Sequence, residues 1–405
     1  MHDTATIAWS VLRAGLRLAG DAVGDMTGRS LPIDPAAVAS PATLGRLLRD
    51  GALTDTVRGV TVQDVTVQPV PSVSSNCVNQ VLSVQHDAGP SLPDSLFVKI
   101  PMPQLLTRWF LNVINAWELE SYFFRHVAPG LPIRTPMTYA TAQRGSRFYL
   151  IQENLRDDPG VVLFVNPDMQ AGPSLERVHA CLDTFARLHA HYAGRSVAER
   201  EALLPLRLHP FLSRDMGSVA KMLNSMVLGP CMKRRPGAIP PQVATAYRTT
   251  IKHWPRLLRY WFAEPLTLLH GDSHLGNFFV SGDTMGMLDW QAAHWGNGIR
   301  DVQYFLIDSL PAPVLAEHEQ ALVDFYVARR AYHGSALDPS RAWEDYRSFT
   351  FHTLMTIVVS VGFGALSAEQ ARLMEEILDR AVAAVERVDY PGWLAAFLDS
   401  EENNK

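Results

Sequence analysis

Residues 266–291 interrupt apolar runs with polar groups at fixed places. His270-Gly271-Asp272-Ser273-His274-Leu275-Gly276-Asn277 lies between Leu266, Leu268 and Leu269 on one side and Phe278, Phe279 and Val280 on the other. Gly286-Met287-Leu288-Asp289-Trp290-Gln291 follows, with Met285 to Leu288 apolar but for the glycine. Apolar runs this short, bounded by polar turns, read as strands. The pattern predicts two short strands that deliver a polar loop and a terminal carboxylate to one place. Asn277 stands five positions after Asp272, and Asp289 twelve after that. A carboxylate within reach of a hydroxyl can take its proton. An amide oxygen and a second carboxylate are the hard ligands that suit Mg²⁺. Together they have the layout of a phosphoryl-transfer site.

The block His-Gly-Asp-x-His-x-Gly-Asn-x-Phe, then Leu288-Asp289-Trp290-Gln291, then Arg300-Asp301-Val302-Gln303-Tyr304, resembles the aminoglycoside phosphotransferase and choline kinase superfamily. Gln291 and the run Asp301 to Leu306 are closest to its ecdysteroid-kinase-like branch. The resemblance covers roughly residues 60 to 330. It implies an α+β, two-lobed protein-kinase-like fold, with a small antiparallel-sheet N-lobe and a mainly helical C-lobe. It implies ATP, with GTP as the alternative nucleotide, and Mg²⁺ held by Asn277 and Asp289. Asp272 would be the catalytic base, His270 would brace its loop, and Asp301 would hold the loop backbone.

Lys99 is a charge inside the apolar strand Phe97-Val98-Lys99-Ile100. Such a lysine either reaches out at an edge or faces a partner, and the resemblance assigns it to the α- and β-phosphates. Its partner would be a glutamate on the following helix. Glu118 and Glu120 both qualify, and Glu120 fits the family spacing Glu-x-x-aromatic-aromatic better. Between the first two strands no GxGxxG occurs. Instead Ser74 and Ser75 stand in a run of small residues, Pro71 to Asn76, whose backbone N–H groups could cover phosphates. The adenine is expected to meet the backbone of Gln152, Glu153, Asn154 and Leu155 where a strand ends.

Three segments follow from the patterning. Residues 1–59 form a helical extension around Ile7, Leu12, Leu16 and Leu18, then Leu44, Leu47 and Leu48, with Ser40-Pro41 as a helix start. Residues 60–155 form the N-lobe: Val62 to Val67, Val81 to Val84 and Leu96 to Val98 alternate as a three-strand antiparallel meander. A mixed-face helix over 104–127 and a strand over 148–151 come next. Residues 156–405 form the C-lobe, which begins with a helix whose face carries Val178, Leu182, Phe185, Leu188 and Tyr192. A helix from Leu310 to Tyr326 follows, and Ser367 with Gln370 caps another.

Hydrophobic content of 47% and charged content of 19% are those of a soluble globular protein. A formal net charge of −5 gives no footprint for nucleic acid or an anionic membrane. The densest basic cluster, Lys233-Arg234-Arg235, reads as a solvated loop. Cys77, Cys181 and Cys231 are odd in number and widely spaced, so neither a disulfide framework nor a zinc site is expected, and the localisation that follows is cytoplasmic. The N-terminus lacks signal-peptide patterning. The apolar run Leu354 to Phe363 is about half a membrane span.

The leading functional reading is an ATP- and Mg²⁺-dependent phosphotransferase acting on a hydroxyl of a small molecule, a bulky apolar alcohol. Tyr304, Phe305, Phe325, Tyr326, Phe351, Met355 and Phe363 supply its candidate pocket. An aminoglycoside-type antibiotic kinase would instead need an acidic cleft. Asp308, Glu317, Glu319 and Asp324 could supply one, although their spacing reads as a solvated helix face. A catalytically silent nucleotide-binding pseudokinase is the non-enzymatic alternative. A metal-dependent hydrolase on His270, Asp272 and His274 lacks further ligands in register. The acceptor and the oligomeric state are not readable.

Overall fold

The computed structural model describes residues 2–68, 77–208, 217–364 and 368–402. The chain divides into two compact units. The first comprises Met1–Val162, Glu201–Pro210 and Met287–Ala292, and the second comprises the rest. Met287–Ala292, which carries Asp289, therefore groups with the N-terminal residues, although the sequence places it within 156–405.

The first unit is built on a five-stranded antiparallel sheet. Its strands are β1 (Val62–Gln68), β2 (Cys77–His86), β3 (Ser95–Pro101), β4 (Thr138–Arg144) and β5 (Arg147–Glu153), in the order β1-β2-β3-β5-β4. The alternating valines and leucines predicted the meander because one face of it is buried: Leu82, Val84, Leu96, Val98 and Ile100 are all in the core. The Pro41–Gly51 helix covers that face with Leu44, Leu47 and Leu48. Ser40 caps it by accepting the Thr43 N–H, with Pro41 at the first helical position. Strand β4 was not expected from the sequence. The helix expected over 104–127 is two, Leu105–Val113 and Ala116–His126, broken where Asn115 takes a left-handed φ of 62°.

Helix α1 (His2–Met26) turns a polar side inward. Asp21 is buried, accepts the Ser146 N–H at 3.1 Å, and lies 3.4 Å from Arg147. Arg17 donates to Asn115 at 2.9 Å and pairs with Glu118. Leu12 and Leu16, the residues that marked this helix in the sequence, are 54% and 60% exposed.

The second unit is mainly helical. Phe185 from the Leu175–Tyr192 helix, Phe278 and Phe305 pack with ring centroids 5.2–5.8 Å apart and form the centre of its aromatic core. The run Leu354 to Phe363 ends a buried helix, Pro339–Phe363. Lys233 and Arg234 end the Gly217–Arg234 helix rather than a loop, and Arg235 reaches Glu375 at 3.0 Å. Ser367 lies outside the described residues. Among the described residues no helix is long and apolar enough to cross a membrane.

Candidate active site

In the first unit three of the expected residues meet. Lys99 on β3 donates to Glu120 at 2.8 Å and to Asp289 at 3.1 Å. Lys99 and Glu120 are buried, while the Asp289 side chain is 31% exposed. Burial disfavours the charged form of Lys99. The charges of Asp289 and Glu120 outweigh that and hold it protonated above its usual range. Burial pushes the Glu120 carboxyl up, and Lys99 pulls it partly back. Glu118 is not involved, since it pairs with Arg17.

Asp289 has φ 57°, a left-handed conformation that is costly for a residue with a side chain. The next residue pins it there. Trp290 is fully buried, stacks on Phe123 at 4.4 Å, and donates its indole N–H to the Met287 carbonyl at 3.3 Å. A strained carboxylate held by its surroundings is a feature found at functional sites.

The expected adenine edge is less open than its position at the end of a strand implies. The Glu153 N–H donates to the Met137 carbonyl at 2.9 Å, and the Glu153 carboxylate is bound by Arg134 at 2.6 and 3.0 Å. Asn154 donates to Ser95 at 3.0 Å and to Asp157 at 2.8 Å, capping the short turn that begins at Leu155. Gln152 donates to Thr138 at 3.0 Å. Ser74 and Ser75 lie outside the described residues.

In the second unit the strand Thr267–Leu269 leads into the His270–Asn277 loop, which the Phe278–Ser281 strand leaves. Gly271 at φ 85° lets the chain reverse after His270. The Asp301 carboxylate, from the Ile299–Ser309 helix, accepts the N–H of His270 at 2.7 Å and of Gly271 at 3.0 Å. Its backbone carbonyl takes the Ser273 hydroxyl at 3.0 Å. His270 is fully buried, and its Nδ1 accepts the Asp272 N–H at 3.3 Å. The imidazole therefore turns into the loop and braces it. Asn277 donates its side-chain N–H to the Asp272 carbonyl at 2.7 Å, which orients its amide oxygen away from that contact.

Behind Asp301 stands His189, 3.3 Å away and in turn 2.8 Å from the Tyr326 hydroxyl. Gly298 is required here, because a Cβ would fall 2.6 Å from that hydroxyl and 2.8 Å from His189. Burial would raise the Asp301 carboxyl, but the hydrogen bond from His189 and the nearby Arg300 charge hold it well below the usual carboxylate range.

Two residues near Asp272 carry more than the sequence suggested. Tyr304 was expected only as a pocket-lining aromatic, yet its hydroxyl is hydrogen-bonded to Asp272. Burial, then the charges of Asp272 and Asp308, push its pKa well above the usual value. Asp308, one helical turn beyond Tyr304, is buried rather than solvated, and its Oδ1 has no hydrogen-bond partner. Burial pushes it up to about 6. The signal was the spacing of Asp301, Tyr304 and Asp308 at i, i+3 and i+7 on one helix face. Glu319 is also buried, tied to Tyr346 at 2.7 Å and Arg387 at 2.6 Å, whereas Glu317 and Asp324 are exposed. Of the proposed pocket residues, Phe305, Tyr326 and Phe351 are core, and Phe363 is exposed. Tyr304, Phe325 and Met355 are partly exposed. Among the described residues no group of three or more His, Cys, Asp or Glu could hold a metal ion.

The chain is similar to several solved kinase structures. One is a choline/ethanolamine kinase family protein from Mesorhizobium loti, with 15% identity, a TM-score of 0.48, and 82% of this chain and 92% of that one covered. Another is the choline kinase of Streptococcus pneumoniae, with 11% identity, a TM-score of 0.47, and 81% and 94% covered. A third is a streptomycin–ATP–APH(2″)-IIa ternary complex, with 11% identity, a TM-score of 0.46, and 86% and 97% covered. No curated protein sequence matches. The profile of the phosphotransferase enzyme family (APH) matches residues 73–337, well over half of the chain, with the Lys99, Asp272 and Asp289 motifs inside it. The chain belongs to this phosphotransferase enzyme family.

Proposed function

We propose that the protein is an ATP- and Mg²⁺-dependent kinase that phosphorylates a hydroxyl of a small, neutral and mainly apolar alcohol. The observation that carries the reading is the Asp272 loop. Asp301, His270 and Asn277 fix its backbone, while the Asp272 side chain remains 31% exposed and able to meet a substrate. Phosphoryl transfer asks a protein mainly for positioning and charge neutralisation, and a loop tied at this many points suits that demand.

In this reading the acceptor oxygen bonds to the γ-phosphorus as the bond to the β–γ bridging oxygen breaks. The hydroxyl proton passes to Asp272, and ADP leaves. Lys99, positioned by Glu120, neutralises the α- and β-phosphates. Asn277 and Asp289 are the proposed metal ligands, and their chemistry fits, with one neutral and one charged oxygen on side chains that other groups orient. When bound, Mg²⁺ would offset charge on the transferred phosphoryl group.

The neutrality of the acceptor rests on the acidic residues of the second unit. A polycation needs several unpaired carboxylates, but Glu319 is consumed by Arg387 and Tyr346, and Asp301 by backbone amides. Asp308 stays buried beside Tyr304 and Asp272, while Glu317 and Asp324 lie on an exposed helix face. The partly exposed Tyr304 and Met355 suit an apolar body better than a charged one. Lys99, Asp272, Asn277 and Asp289 are all present, which speaks against a silent pseudokinase. The free thiols of Cys77, Cys181 and Cys231 fit a reducing compartment.

The test is transfer of label from γ-labelled ATP, with Mg²⁺, to parallel panels of neutral apolar alcohols, choline-type amino alcohols and aminoglycosides. Labelled phosphoester is expected in the first panel. Labelling confined to the aminoglycosides would overturn the neutral-acceptor reading.

A further inference from the structure

Helix α1 is amphipathic in the reverse of the usual sense, with its apolar side facing outward. Ser10, Ala14 and Asp21 are buried, whereas Trp9, Leu12, Leu16, Ala19, Val23 and Met26 are all exposed, Trp9 at 59% and Met26 at 80%. These six positions recur at alternating steps of three and four, the a and d places of a heptad repeat. Almost three heptads of an outward-facing apolar seam require knobs from another helix. The flanks are Ala8, Gly15 and Ala22 on one side, and Arg13, Gly20 and Thr27 on the other. With a single charged residue among them, two like helices would not repel, and the small side chains permit close approach.

The Leu105–Val113 helix packs on α1, with Arg108 and Asn112 reaching Asp21 and Arg17. It adds Leu105, Leu106 and Phe110, each at least half exposed. With the large seam residues this makes eight exposed apolar side chains, at roughly 100 Å² apiece. The total is on the order of the 800 Å² per partner that a stable interface buries.

We propose that this face pairs with the same face of a second copy of the chain, forming a two-fold homodimer along α1. A membrane surface is the less fitting occupant. Interfacial helices carry Lys and Arg on their polar face to meet lipid headgroups. Here Arg17 is spent inward on Asn112, Asn115 and Glu118.

The experiment is light scattering on the full-length protein at low and tens-of-micromolar concentration, beside the Leu12→Glu/Leu16→Glu double variant. Both substituted residues are exposed, so unchanged circular dichroism and melting temperature are expected. Wild type should show twice the 45.0 kDa chain mass, and the double variant 45.0 kDa with a dissociation constant weakened at least 100-fold. Leu16→Cys should cross-link to its own copy through a short bis-maleimide, since the native cysteines are buried. A monomeric wild type at tens of micromolar, or a dimer that survives the double substitution, would overturn the proposal. Sedimentation of a monomeric wild type with phosphatidylcholine vesicles would overturn it too, by assigning the face to lipid.

Discussion

Asp301 accepts the backbone N–H of His270 at 2.7 Å from 31 positions downstream, so the Ile299–Ser309 helix sets the shape of the loop that presents Asp272. Removing the carboxylate in Asp301→Ala strands the buried His270 N–H, the part-buried Gly271 N–H and the His189 ring nitrogen. Each unpaired group costs on the order of 1–3 kcal/mol. We expect a marked fall in melting temperature and a loss of roughly 10² or more in kcat from displacement of Asp272. Asp301→Asn keeps one acceptor and should lose less of both. A stable, fully active Asp301→Ala would remove Asp301 from this role.

Stability should decline below about pH 6.5 through two buried histidines. Burial lowers His189, and burial with the charge of Arg300 lowers His352 well below the usual value. His352 accepts from Arg300 at 2.8 Å and must be neutral to do so. Because these pKa values are depressed on folding, the unfolded chain takes up the protons first. Their contribution is complete above pH 6.5 and falls as pH drops, by about 1.4 kcal/mol per pH unit for each histidine. Urea unfolding from pH 8 to 5 should show this slope, and His352→Gln should reduce it by one histidine. An unchanged slope in His352→Gln would refute the assignment.

Glu120 and Glu118 separate by what they hold. Glu120→Ala leaves buried Lys99 with Asp289 alone, a change on the order of 3–5 kcal/mol, and should weaken ATP binding more than about tenfold. Glu118→Ala removes a partner of Arg17 and should lower the melting temperature with ATP affinity unchanged. Calorimetric titration with ATP and Mg²⁺ distinguishes them. Equal loss of affinity in both variants would argue against the separation.

Asp308 should destabilise the protein at neutral pH. Its carboxyl is pushed up to about 6 by burial, so the folded state holds a proton that the unfolded chain releases near pH 4. Stability is lost as pH rises between those values and stays lower above them, by roughly 2–3 kcal/mol. Asp308→Asn should therefore raise the melting temperature at pH 8 and leave it unchanged at pH 4. A variant less stable at pH 8 would mean that Asp308 is ionised and paired.

The candidate site was legible as a pattern where chemistry ties residue type to spacing. Asp272, Asn277 and Asp289 stood out because hard oxygens interrupt apolar runs, and Lys99 because it is a charge inside an apolar strand. Strands β1 to β3 showed through their branched residues. Strand β4 did not, because Ala140, Thr141 and Ala142 at its centre are small and carry no alternation. They are placed by the Pro41–Gly51 helix, about ninety positions away in sequence, and by the neighbouring strand through Tyr149. The orientation of α1 was also hidden, since its partners Arg108, Ser146 and Arg147 lie about ninety or more positions beyond it. Tyr304 showed in the sequence only as an aromatic candidate for the pocket, because its bond to Asp272 exists only once the helix is docked.

The central claim is that Asp272 takes the proton of an alcohol during phosphoryl transfer. The most direct measurement is transfer of label from γ-labelled ATP to an alcohol by wild type and by Asp272→Asn, with ATP affinity determined for both. General-base loss alone is ~10²–10⁴-fold. The account predicts a fall in kcat of at least that size with ATP binding within about twofold of wild type. Transfer by Asp272→Asn at a rate close to that of wild type would contradict it.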